Sequence, residues 1–209
     1  MSTTAVDKIA GWLNDYAATI AEHSQALTDL DREIGDADHG FNMERGMKAV
    51  VALDPSQFND AGAYLKKVGM TLVSTVGGAA GPLYGTLFLR MASAFPEGSA
   101  LDTASLAKAF RAGVDGVMAR GKSTVGDKTM VDALAPATER LEDDASAGTE
   151  LSAALHDAQD AARNGRDSTI DMVARRGRAS YLGERSKGHL DPGAASVTML
   201  VESAARTLA

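Results

Sequence analysis

The sequence predicts an all-α protein, a bundle of about eight helices, on three observations. Apolar residues recur at helical spacing along most of the 209 residues. No segment alternates apolar and polar residues well enough to be a strand. Aromatics make up only 5% of a chain that is 44% hydrophobic. Its core therefore rests on Ala, Leu, Val and Met, small side chains that suit closely packed helices.

The elements follow in chain order. Ile9, Trp12, Leu13, Tyr16 and Ile20 fall on one helix face. A second helix is expected near 42–53. Leu65, Val68, Leu72 and Val76 repeat the stripe, and a fourth helix is expected over 82–95, with Pro82 at its first position. The connection FPEGSALD, 95–102, reads as a plain linker. Leu106, Phe110, Val114 and Val117 form the next stripe, capped by Asp102 or Thr103. Met130, Leu134, Ala137 and Leu141 form another, and Leu151, Leu155, Ala158 and Ala162 one more. The last runs through Val197, Leu200, Val201, Ala204 and Leu208. No internal repeat or low-complexity tract divides the chain, so residues 1–209 are expected to form one domain.

Composition excludes several classes. A net charge of −7 without a basic run disfavours nucleic acid and anionic lipid. The absence of cysteine excludes disulfides and thiolate chemistry. The start MSTTAVDKIAGWLND has no signal-peptide pattern, so a cytoplasmic location is expected. Residues 68–89 lack charge, yet the glycines and Pro82 of GGAAGP would break a membrane-spanning helix in its middle. Two buried helices joined by a glycine turn are expected there.

The loops are unusual in composition. LDREIGDADHG, 30–40, places Asp31, Asp36 and Asp38 within eight residues, beside Gly35 and Gly40. Close carboxylates repel unless a cation neutralises them, and Mg²⁺ is a hard cation that takes oxygen ligands. The alternative is a solvated acidic turn with Asp38 as helix cap; this loop alone leaves both open. GGAAGP, 77–82, either bares a helix N-terminus for an anion or lets helix backbones meet. LDPGAAS, 190–196, offers Asp191 as cap, Pro192 in the first turn and Gly193 as open space for a ligand, or simply a well-capped helix. RRGRASYLGERSKGH, 175–189, gathers Arg175, Arg176, Arg178, Arg185 and Lys187 in an acidic protein. Guanidinium groups of such a loop can grip phosphate oxygens, or it is a basic surface loop. His39 and His189 can contact phosphate or ribose, whereas His23 and His156 sit on helix patterns. Met130 fits the core stripe.

These blocks, with GMTLVSTVGGAAGPLYGT and RGKSTVGDKTMVDALAP, resemble the ADP-binding L subunits of the dihydroxyacetone kinases, in the same order and over nearly the whole chain. The resemblance implies an eight-helix antiparallel barrel with the nucleotide among the loops at one end. It implies two Mg²⁺ ions held by Asp31, Asp36 and Asp38, which with Arg178 carry the catalysis. It places His39, Gly40, Phe41, Asn42, Ala79, Ala80, Gly121, Met130, Arg178, Asp191, Pro192 and Gly193 around ADP or ATP. One departure is visible: related sequences often read GGASGP, so Ala80 lacks a hydroxyl that could face phosphate. In one mode of the family an L part fused to the sugar-binding K part uses exchanging ATP. In the other a separate L chain keeps its ADP. There a phosphohistidine-bearing M subunit of the phosphoenolpyruvate-dependent phosphotransferase system rephosphorylates it, and dihydroxyacetone on the K subunit receives the phosphoryl group. This chain, with no K part in its 209 residues, resembles the second mode. A separate L chain paired with an ATP-using K chain, with exchanging ATP, a nucleotide-binding regulatory module and an unrelated magnesium-dependent hydrolase are the alternatives. Homodimerisation is left open.

Overall fold

The structure, a computed structural model, describes residues 4–95 and 100–208. Residues 96–99 of the linker read over 95–102 lie outside the described residues. Eight α-helices and three short 3₁₀ turns make up the described regular structure. They are α1 (Ala5–Ile34), α2 (His39–Val51), α3 (Ala61–Thr75), α4 (Ala80–Ser93), α5 (Thr103–Gly121), α6 (Val131–Ala147), α7 (Leu151–Ser168) and α8 (Pro192–Thr207). Each packs on the next in sequence, and α8 packs back on α1. The result is a closed antiparallel ring. No described helix is long and apolar enough to cross a membrane.

The first stripe explains the closure. Ile9, Trp12, Leu13, Tyr16 and Ile20 are all buried. Trp12 lies 6.2 Å from the Phe88 ring and 6.1 Å from the Phe110 ring, centroid to centroid. Its indole N–H donates to the Leu200 carbonyl at 2.9 Å, and the Tyr16 hydroxyl donates to the Ser196 carbonyl at 3.2 Å. One face of α1 thus fills the barrel and ties α8 to it. Burial of such side chains stabilises by roughly 1.5–3 kcal/mol each.

Two local departures have physical reasons. Helix α4 begins at Ala80, so Pro82 stands at its third position rather than its first. That site also needs no helical N–H partner, which is why proline is tolerated there. Helix α6 runs through Pro136. Proline leaves the Asp132 carbonyl without its usual donor. Gly165 of α7 sits against that carbonyl so closely that a Cβ there would lie 2.1 Å from it. The bare glycine lets the two helices meet at the interrupted turn.

Candidate functional site

The site is built at one end of the barrel, where α1 gives way to α2. Asp31 lies in the last turn of α1 and is buried. Residues 35–38 then reverse the chain, with Ala37 in the left-handed region at φ 61°. Asp31 Oδ2 accepts the backbone N–H of Asp38 at 2.9 Å and of His39 at 3.1 Å. Asp31 therefore anchors the N–H groups of the N-cap residue and of the first helical residue, ahead of the N–H groups that an N-cap side chain serves. The Asp38 side chain makes no cap hydrogen bond. The capped-turn alternative thus fails at the atom that mattered: Asp38 holds the cap position and leaves its carboxylate free.

Oxygens of Asp31, Asp36 and Asp38 all lie within 4.8 Å of one another. Three converging carboxylates on a partly open loop form an all-oxygen donor set suited to a hard divalent cation. Gly35 permits the close approach, since a Cβ there would fall 2.0 Å from Asp31 Oδ1. Arg178 Nη2 stands 3.0 Å from Asp36 Oδ2, and both side chains are partly open to solvent.

A cavity of about 420 Å³ opens beside this cluster. Gly77, Gly78, Ala79 and Ala80 line one wall, with Gly78 at φ 63°. Ala79 caps α4 without a side-chain bond, so the N–H groups of that helix end stay free for an anion. Gly81, by contrast, is a packing glycine, because a Cβ there would meet the Val76 carbonyl at 2.3 Å. The block thus packs helices at Gly81 and leaves the start of α4 without a side-chain cap at Ala79. A second wall is the start of α8. Asp191 Oδ2 accepts the Ala194 N–H at 2.7 Å, and Pro192 and Gly193 face the cavity with Met130. Burial pushes the Asp191 carboxyl up to about 7, against the pull of the Ala194 N–H and the Lys128 charge. The third wall is Arg176 to Ala179.

His39 lines the cavity and its Nε2 lies 2.8 Å from Ser196 Oγ. The Tyr84 hydroxyl lies 2.7 Å from that same Oγ. Burial pushes the His39 pKa down, while Asp31 and Asp38 oppose the shift.

Of the residues expected from sequence, Asp31, Asp36, Asp38, His39, Asn42, Ala79, Ala80, Met130, Arg178, Asp191, Pro192 and Gly193 all line this cavity. Three do not. Gly40 is a contact between α1 and α2, where a Cβ would lie 1.8 Å from the Ser24 carbonyl. Phe41 is half exposed on α2, and Gly121 closes α5 next to Ser123. His189 stands 3.9 Å from Glu33 and outside the lining. Sequence reasoning missed Lys128, Thr129 and Tyr84 on the wall, and Ser196 behind it. The charged loop containing Lys128 was visible, but a buried lysine carries no signature of its own.

A closed helical barrel with a carboxylate cluster, a bare helix N-terminus and an arginine loop around one cavity defines a class of protein equipped to gather a divalent cation and a phosphorylated ligand at one end. Residues 33–206 match the DAK2 domain, and the chain belongs to that family. It is 48% identical over 196 residues to the ADP-binding subunit of the PEP-dependent dihydroxyacetone kinase of Escherichia coli K12, covering 93% of each chain. It is 39% identical over 199 residues to the ADP-binding subunit of the PTS-dependent dihydroxyacetone kinase of Lactococcus lactis, covering 95% of each. Its fold also matches the crystal structure of the C. freundii dihydroxyacetone kinase in complex with AMP-PNP and Mg²⁺, with a TM-score of 0.73 and 24% identity. That match covers 99% of this chain and 35% of the other.

Proposed function

We propose that this chain is the nucleotide-bearing subunit of a dihydroxyacetone kinase driven by phosphoenolpyruvate. The observation that carries this reading is the division of labour among the aspartates. Asp31 anchors the Asp38 and His39 N–H groups, the Asp38 carboxylate makes no cap bond, and Asp36 meets Arg178 beside them at the cavity mouth. The free N–H groups at the start of α4 suit phosphate oxygens, and Met130 with Leu83 offers apolar surface for a base. Two Mg²⁺ ions held by Asp31, Asp36 and Asp38 would neutralise charge on the phosphates.

The reaction needs little of the chain beyond positioning. The cavity residues hold ADP with its terminal phosphate toward the carboxylate cluster. When bound, ADP would supply a β-phosphate oxygen that takes a phosphoryl group from a phosphohistidine donor, the M subunit of a phosphotransferase system, and yields it to a hydroxyl of dihydroxyacetone on the K subunit, where the hydroxyl proton is also lost. Arg178 faces the charge spread over the moving group. No general base is required on this chain, because the sugar sits on a partner.

A second reading has the same site take ATP in exchange with solution, which the fold shared with the C. freundii kinase favours. Nucleotide content separates the two. Purified protein should carry ADP through gel filtration and pass phosphoryl groups to dihydroxyacetone only when K subunit, phosphohistidine donor and phosphoenolpyruvate are supplied. Protein that elutes empty and turns over free ATP would replace the first reading with the second.

A further inference from the structure

Residues 170–188 form a loop whose ends meet. The Gly188 N–H donates to the Ile170 carbonyl at 2.7 Å, and the Asp191 N–H donates to Thr169 Oγ1 at 3.1 Å. At this neck sits Lys128, whose Nζ donates to the carbonyls of both Thr169 and His189. Lys128 is 1% exposed and its backbone is left-handed, at φ 62°. Burial pushes its pKa down, and Asp191, Asp132 and Asp171 oppose that shift. An ammonium withdrawn from water is costly, and so is a left-handed lysine. Two costs at one residue point to a task that an apolar side chain would not perform.

The preceding residue grips the same loop farther along. The Asp127 carbonyl accepts the Arg175 N–H at 3.1 Å, and Asp127 Oδ2 lies 3.4 Å from Arg176 Nε. Asp127 is itself fixed, because its Oδ2 accepts the Thr124 N–H at 2.9 Å. The turn around it is held by Asp132, which accepts from Gly126 N–H at 2.5 Å and Thr129 N–H at 2.7 Å. The loop's apolar contact, Ala174, Ala179 and Leu182 against Ile34, braces it on α1 but does not close its neck.

We propose that Asp127 and Lys128 form a positioning clamp for Arg178. Lys128 closes the neck of the loop and Asp127 holds its rising arm, so that Arg178 is presented to Asp36 at the cavity mouth. The proposal rests on the reading of Arg178 as the group that faces the moving phosphoryl.

The variant Lys128→Met keeps the stem and removes the charge and donors. In amide hydrogen exchange on nucleotide-free protein, residues 170–188 should exchange at least about tenfold faster while α1 and α5 are unchanged. Phosphoryl transfer to dihydroxyacetone should fall at least about tenfold, yet the same change in an Arg178→Ala background should add less than about twofold. Unchanged exchange in 170–188, a rise spread through the barrel, or a full further loss on top of Arg178→Ala would each overturn the clamp. Should Lys128→Met fail to fold, Asp127→Asn enters the same two assays, with the same expected outcomes. The exchange measurement does not depend on the reaction. If no transfer to dihydroxyacetone occurs even in the unmodified protein, the proposed function fails and the exchange result still decides the clamp.

Discussion

Arg178 rests on Asp36, with Nη2 3.0 Å from Oδ2, so the arginine occupies a carboxylate that a metal ion would also need. Cation and guanidinium compete for the same oxygen. Arg178→Ala should therefore raise the affinity for Mg²⁺ alone a few fold, in line with the modest strength of exposed ion pairs. The same variant should lower the rate of phosphoryl transfer by a factor on the order of a hundred or more. Isothermal titration with Mg²⁺ and a transfer assay read the two effects. Weaker Mg²⁺ binding in the variant would refute the competition.

The three aspartates should separate by what each holds. Asp36→Ala and Asp38→Ala remove repelling charge without removing a helix cap. They should lose bound ADP and leave the melting temperature level or higher. Asp31→Ala also strips the N–H partners of α2 and should cost about 1 kcal/mol of stability besides. Nucleotide content after gel filtration, with thermal melts, distinguishes them; equal melting behaviour in all three would contradict the assignment.

Ala37 adopts φ 61° between two of these aspartates. A side chain there costs roughly 1–2 kcal/mol, part of which glycine would relieve. Ala37→Gly should stabilise the ligand-free protein by about 0.5–1 kcal/mol in urea unfolding. A destabilised variant would show that the loop is held by something other than its backbone angle.

Asp191 makes a pH prediction. Its carboxyl is raised from 3.8 to about 7 by burial, so folding favours its protonated form. The stability it contributes is full below pH about 4 and is lost as pH climbs toward about 7. Asp191→Asn keeps a capping oxygen and removes the titration. Relative to the unmodified protein, the variant should therefore gain stability steadily from pH 4 to pH 7. Unfolding curves at several pH values check this, and a gap that moves the other way would place the raised value elsewhere.

Much of the fold was legible because α1, α3, α5 and α8 each keep one apolar face that the barrel buries. Ile9 to Ile20 and Val197 to Leu208 needed only their spacing to be found. Pro136 was invisible to that pattern, because its accommodation depends on Gly165, nearly thirty residues away. The aspartate cluster was legible in residue type but ambiguous in role, and the ambiguity lay in one hydrogen-bond choice. Nothing local says that Asp31, seven residues earlier, holds the turn by the Asp38 and His39 N–H groups while the Asp38 carboxylate makes no cap bond. Gly40 and Phe41 sit beside cavity residues in sequence, yet the helix turns them away. Lys128 was missed for a related reason. Its partners are two carbonyls forty and sixty residues downstream, and such partners have no side-chain signature.

The bond from Trp12 to Leu200 seals the ring between the first and last helices. Helix α1 ends at the carboxylate cluster and α8 begins there, so Ala5 and Thr207 stand together at the opposite pole. Lys8 and Leu208 border one shared hollow. A surface anchor or a fused reporter joined near either residue would leave the cavity mouth pointing outward and unobstructed.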